Sequence, residues 1–141
     1  MERILVAVDE DPMREHVVRK ADEIAGALGA SMLICHVLSN DEYERVKSQL
    51  SYSEAAERAS IVGQEAVDTV GDLSAHYKLQ GAIGEPSEEL LRLADELDAG
   101  MIVMGFAGLH GLERLRALGS VSREVMESTT RPVLIVPHPT S

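Results

Sequence analysis

The run Ile4-Leu5-Val6-Ala7-Val8 stops at Asp9 and meets Pro12. Apolar residues then recur at Val17, Val18, Ala21, Ile24, Ala25 and Leu28 up to Gly29, and a second apolar run covers Met32 to Val37. Continuous apolar runs of this length fit strands buried on both faces, the pattern of a parallel sheet. The stretch between them has helical spacing, with proline at its start and glycine at its stop. A strand, a helix and a strand in that order make a βαβ unit.

The same alternation continues outward. Residues 39–52 are polar and read as a connection. From Ser53 to about His76 the spacing of Ala59, Val62, Ala66, Val70 and Leu73 predicts a long amphipathic helix. Lys78 to Ile83 is a weaker strand closed by Gly84, and Pro86 opens a helix carrying Leu90, Leu91, Ala94 and Leu97. Met101 to Met104 is a third strong strand, Ser120 to Ser128 a last helix, and Val133 to Val136 a final strand between Pro132 and Pro137. Five strands alternating with four helices predict a single α/β domain over residues 1–141. Its form is a Rossmann-like open five-stranded parallel sheet with helices on both faces. Ligands of such sheets bind beyond the carboxyl ends of the strands, where strand order reverses. That points to Asp9, to Val37 with Leu38, and to the loop beginning at Gly105.

Bulk properties narrow the class. A chain of 141 residues buries roughly 70% of its unfolded surface without needing disulfides. Its single cysteine, Cys35, excludes an internal disulfide framework. Absence of a membrane-length apolar run and of a signal-peptide layout predicts a cytoplasmic protein without a membrane partner. The formal charge of −11, from 24 acids against 13 Lys and Arg, disfavours nucleic acid. Lysine is confined to Lys20, Lys47 and Lys78; an acid-rich, lysine-poor surface suits a high-salt cytoplasm, although acidic mesophile proteins share it.

The loop departs from this acidity. Gly105, Gly108, Gly111 and Gly119 punctuate it, and Ser120, Val121 and Ser122 enter the last helix. From 105 to 131, Arg114, Arg116, Arg123 and Arg131 outnumber Glu113, Glu124 and Glu127. Glycines let a backbone approach a ligand closely, and a helix N-terminus offers free N–H groups to phosphate. No P-loop, dinucleotide fingerprint or nucleophile elbow is present, so no catalytic residue is assigned.

Taken in order, Ile4-Leu5-Val6-Ala7-Val8-Asp9, Cys35-His36-Val37, Gly84-Glu85-Pro86, Ile102-Val103-Met104-Gly105 and Arg131-Pro132-Val133-Leu134-Ile135-Val136-Pro137 resemble the universal stress protein family along nearly the whole chain. The resemblance implies an ATP-binding regulatory protein of stress response. In that family's ATP-binding branch the loop follows G-x2-G-x9-G-[ST]. Carried over, it implies Gly105, Gly108, Gly119 and Ser120 at the phosphates and ribose, with Val121 and Ser122 beside them and Met104 at the strand end. It also implies Ala7, Val8 and Asp9 near the nucleoside and Val37 near adenine. Magnesium or manganese would be carried by the triphosphate. Here ten residues, not nine, separate Gly108 from Gly119, and Phe106-Ala107 stand at positions that are often polar. The ATP-binding branch remains the leading reading; these departures speak for the alternative, the nucleotide-free branch that works through protein contacts, and a slow ATP-hydrolysing enzyme is a further alternative.

Plainer readings stand beside these. Asp9 also suits capping of the first helix, Glu10 and Asp11 read as solvated turn residues, and His36 reads as a hydrogen-bonded core histidine. Cys35 reads as buried filler. Phe106 reads either as a cover over the site or as packing, and His110 as loop surface or phosphate contact. No His, Cys and acid spacing suggests a metal site. Val133, Leu134, Ile135 and Val136 form a hydrophobic strand expected at a sheet edge, where a second copy pairing antiparallel would satisfy its backbone; the resemblance likewise implies a homodimer through this strand.

Overall fold

The fold was read from a computed structural model, which describes residues 1–106, 118–137 and 139. Five strands, β1 (Arg3–Ala7), β2 (Ser31–Leu38), β3 (Tyr77–Ile83), β4 (Met101–Gly105) and β5 (Val133–Val136), form one parallel sheet in the order β3-β2-β1-β4-β5. The order reverses at β1, which pairs Val6 with Ile34 of β2 on one side and with Val103 of β4 on the other. This is the single-domain, Rossmann-like open sheet expected of the alternation.

The helices among the described residues are α1 (Met13–Leu28), α2 (Asn40–Val46), α3 (Tyr52–Val70), α4 (Pro86–Leu97) and α5 (Ser120–Ser128). The pleat sends alternate residues of each strand to opposite faces. Ile4, Val6 and Val8 therefore meet Val17, Val18 and Ala21 of α1 and Val62 and Ala66 of α3. Leu5 and Ala7 face the layer holding Leu90 and Leu93 of α4 and Val125 of α5. Both layers are apolar, which is why the strands read as unbroken apolar runs.

Two boundaries correct the sequence expectation. The polar connection over 39–52 contains α2, started by a capping box in which Ser39 and Glu42 exchange hydrogen bonds with each other's backbone N–H. Burial periodicity could not reveal it, because α2 buries no residue. The Ser39-to-Glu42 spacing was the available signal, and Ser51 with Glu54 repeats it at the start of α3. α3 also ends at Val70 rather than near His76, because Gly71 turns the backbone to φ 93°. The chain beyond it is tied to α1: Asp22 accepts hydrogen bonds from the Ser74 and Ala75 N–H groups and from the Ser74 hydroxyl.

β3 and α3 touch at backbone distance. A Cβ at Gly81 would collide with the Ala56 carbonyl oxygen of α3. At the far edge, Arg131 donates to the Ala99 carbonyl (2.7 Å) and to Asp95 and Asp98, fastening the entry to β5.

Candidate functional site

The strand order opens a cleft beyond the carboxyl ends of β1, β2 and β4, where neighbouring connections leave in opposite directions. Ala7, Val8 and Asp9 form its β1 wall, Val37 with Cys35 and His36 its β2 wall, and Met104 and Gly105 its β4 wall. Val121 and Ser122, in the first turn of α5, close the side toward β4. Pro86 and Leu90 of α4 and Met13, Arg14 and Val17 of α1 complete it. Gly119 and Ser120 lie next to the cleft at the start of α5 without lining it. Gly108, together with Ala107, His110, Gly111, Arg114 and Arg116, lies outside the described residues.

The ends of the glycine segment are pinned. Gly119 N–H donates to the Phe106 carbonyl and Phe106 N–H to that of Val136, each at 2.9 Å. Phe106 is half-buried, and these backbone bonds hold it beside the last strand. Gly119 is the N-cap of α5, and among the described residues no side chain caps that terminus. Its first N–H groups and the positive end of the helix dipole thus have no side-chain cap among the described residues. Ser122 is committed otherwise, since its buried hydroxyl donates to the Gly105 carbonyl at 3.0 Å. It remains able to accept a hydrogen bond, but its proton is spent.

The acidic residues after β1 divide differently from expectation. Asp9 is exposed on the cleft wall, with Oδ1 accepting from Glu10 N–H. Asp11, expected as a solvated turn residue, is part-buried: Oδ1 accepts from Met13 N–H at 2.7 Å, in the first turn of α1, and Oδ2 is buried without a partner among the described residues. His36 is a hydrogen-bonded core histidine as read, its Nδ1 standing 2.9 Å from the Val8 carbonyl. It is also a wall of the cleft, with Nε2 buried and unpartnered among the described residues. Sequence reasoning missed Asp11, Arg14 and His36 as site residues, and no motif marked them. Arg14 brings a cation to the α1 side while donating to the Val62 carbonyl and facing Glu65 at 3.6 Å.

Cys35 is fully buried on the β2 wall. Burial first, and the Glu89 carboxylate second, push its thiol up to about 12, so it is neither a nucleophile nor a thiolate ligand at neutral pH. Among the described residues no three His, Cys, Asp or Glu side chains gather to hold a metal ion. No helix among them is long and apolar enough to cross a membrane.

The chain matches the profile of the Universal stress protein family over residues 1–137. It is 30% identical over 147 aligned positions to Universal stress protein YxiE of Bacillus subtilis, covering 95% of this chain and 97% of that one. It is 28% identical over 141 positions to Universal stress protein MJ0531 of Methanocaldococcus jannaschii, covering 97% and 82%. Among solved structures it resembles the universal stress protein from Archaeoglobus fulgidus in complex with dAMP, with a TM-score of 0.58, 25% identity, and coverage of 96% of this chain and 97% of that one.

Proposed function

Because the chain belongs to the universal stress protein family, we propose that it binds an adenine nucleotide, ATP in the first instance, in the cleft between β1, β2 and β4. It acts in stress response through nucleotide-dependent conformation or partner choice. The observation that carries this reading is the N-terminus of α5, uncapped among the described residues and held beside the carboxyl end of β4 by Ser122 and Gly105. That arrangement supports a phosphate at this terminus, because the first N–H groups of a helix are donors suited to phosphate oxygens. The dAMP bound by the Archaeoglobus relative supports an adenine nucleotide in the fold.

On this reading the α5 terminus, Gly119 and Ser120 hold phosphate, with Gly108 assigned there by family resemblance. Ala7, Val8, Asp9 and Val37 surround the nucleoside, and Met104, Gly105, Val121 and Ser122 form the wall between. A divalent cation, magnesium or manganese, would arrive on the triphosphate. We read the protein as a regulatory binder rather than a rapid enzyme, for its sequence carries no P-loop and no nucleophile elbow. The second part of the proposal is a homodimer through β5, which among the described residues pairs only with β4 and presents Val133, Leu134 and Ile135 half-buried.

The test is to denature freshly purified protein and identify the small molecules released, then to titrate the empty protein with ATP by calorimetry in low and high salt. Stoichiometric adenine nucleotide, or saturable ATP binding, supports the reading. An empty protein that takes up no ATP in either salt overturns it in favour of the nucleotide-free alternative.

A further inference from the structure

Resting on the nucleotide reading, we propose that His36 and Asp11 form an acceptor pair that selects the ligand by its hydrogen-bond donors. His36 Nε2 and Asp11 Oδ2 each take an N–H or O–H of the nucleoside.

The first observation is the tautomer. His36 is only 6% exposed, and its Nδ1 lies 2.9 Å from the Val8 carbonyl oxygen. A carbonyl oxygen only accepts, so Nδ1 carries a proton, and the Nδ1–H tautomer has its lone pair at Nε2. The second is the anchoring of Asp11, whose Oδ1 is taken by Met13 N–H. That bond fixes the carboxylate and leaves Oδ2 as a second buried acceptor. Among the described residues these are the two buried side-chain polar atoms without a partner, and both belong to residues on the walls of the same cleft.

Buried polar atoms in folded proteins are nearly always satisfied, so two orphans on residues that line one cleft point to a partner beyond the described residues. In the Nδ1–H tautomer of His36 both are acceptors, which matches a donor on the ligand and not a phosphate oxygen, and turns the phosphates toward the α5 terminus. The donors of an adenine nucleotide are its 6-amino group and its ribose hydroxyls. The shared chemistry is an N–H or O–H donor on the nucleoside, and the two sources separate by analogue.

The experiment is calorimetric titration of the full chain with ATP, ITP, 2′-deoxy-ATP and 3′-deoxy-ATP, for the wild type, Asp11→Asn and His36→Asn. Asparagine at 36 keeps a donor for the Val8 carbonyl and deletes the acceptor at Nε2. Asparagine at 11 keeps Oδ1 for Met13 and replaces the Oδ2 acceptor with a donor. The analogue lacking the recognised donor should bind the wild type about tenfold more weakly than ATP, and that penalty should shrink to near nothing in the matching variant. A penalty confined to ITP assigns the amino group; one confined to a deoxy analogue assigns the ribose. If His36→Asn does not fold, the Asp11→Asn arm carries the comparison alone. Analogue penalties equal in wild type and variants, with ATP affinity unchanged, overturn the acceptor pair while leaving nucleotide binding standing. No binding of ATP to the wild type is a different result, and it removes the nucleotide reading and this inference together.

Discussion

The hydroxyl of Ser122 donates to the carbonyl oxygen of Gly105 at 3.0 Å, joining the first turn of α5 to the last residue of β4. The bond spans 17 positions of sequence that include the glycine segment. It sets where the first N–H groups of α5 stand relative to the strand ends.

Ser122→Ala deletes that bond and leaves a carbonyl unpaired at the cleft wall. The expected loss is about 1–2 kcal/mol of stability, read as a lower urea midpoint at unchanged m-value. Under the proposed function ATP affinity falls as well, by more than that of a variant of equal stability loss remote from the cleft. Equal ATP affinity in the two variants would separate the Ser122 bond from ligand binding.

Asp22 offers a test of how α1 holds the chain after α3. Its carboxylate is 8% exposed and accepts from Ser74 N, Ser74 Oγ and Ala75 N at 2.9–3.1 Å. Asp22→Ala removes all three acceptor contacts and should cost about 3 kcal/mol, whereas Asp22→Asn keeps one acceptor oxygen and should cost about half. Chemical denaturation of the two variants checks the ranking, and equal losses would contradict it.

Cys35 gives a pH dependence with a definite sign. Burial raises the folded thiol from 9.0 to about 12, so the neutral form is favoured in the native state. Its stabilising contribution is full below pH 9 and is lost as pH rises from 9 toward 12, because there the unfolded chain has released a proton that the folded chain retains. The slope attributable to this group is about 1.4 kcal/mol per pH unit. Urea denaturation at pH 8, 9, 10 and 11 should show the wild type losing stability faster than Cys35→Ala above pH 9. Parallel curves would refute the assignment. A thiol reagent at pH 8 should likewise react only as the protein unfolds.

The β5 edge has a backbone polarity that can be tested. Ile102 N–H bonds to the Pro132 carbonyl and Phe106 N–H to that of Val136, so by alternation residues 132, 134 and 136 face β4. The N–H groups of Val133 and Ile135 then point away from the sheet. Ile135→Pro removes an outward N–H while sparing the ladder to β4, an edge position where proline is tolerated. If two copies pair through this strand, the variant should sediment as a folded monomer at concentrations where the wild type is a dimer. A wild type that sediments as a monomer at tens of micromolar sinks the dimer proposal outright.

What the sequence determined alone were the elements whose burial is uniform along a short segment. β1, β2 and β4 read directly as apolar runs because parallel strands covered on both faces admit no polar alternation. α1 and α4 were legible from Pro12, Gly29 and Pro86 beside their apolar spacing, and the ordered motifs from Ile4 to Pro137 carried the family. α2 was illegible to that reasoning because it buries nothing. Tertiary structure alone decided the strand order and with it the cleft. The reversal at β1 brings Val8 against His36, 28 positions apart, and sets Asp11 and Arg14 on the same cleft. Periodicity records whether a side chain is buried. Which polar atoms are left to meet in a cleft depends on long-range pairing and register, which no local pattern encodes.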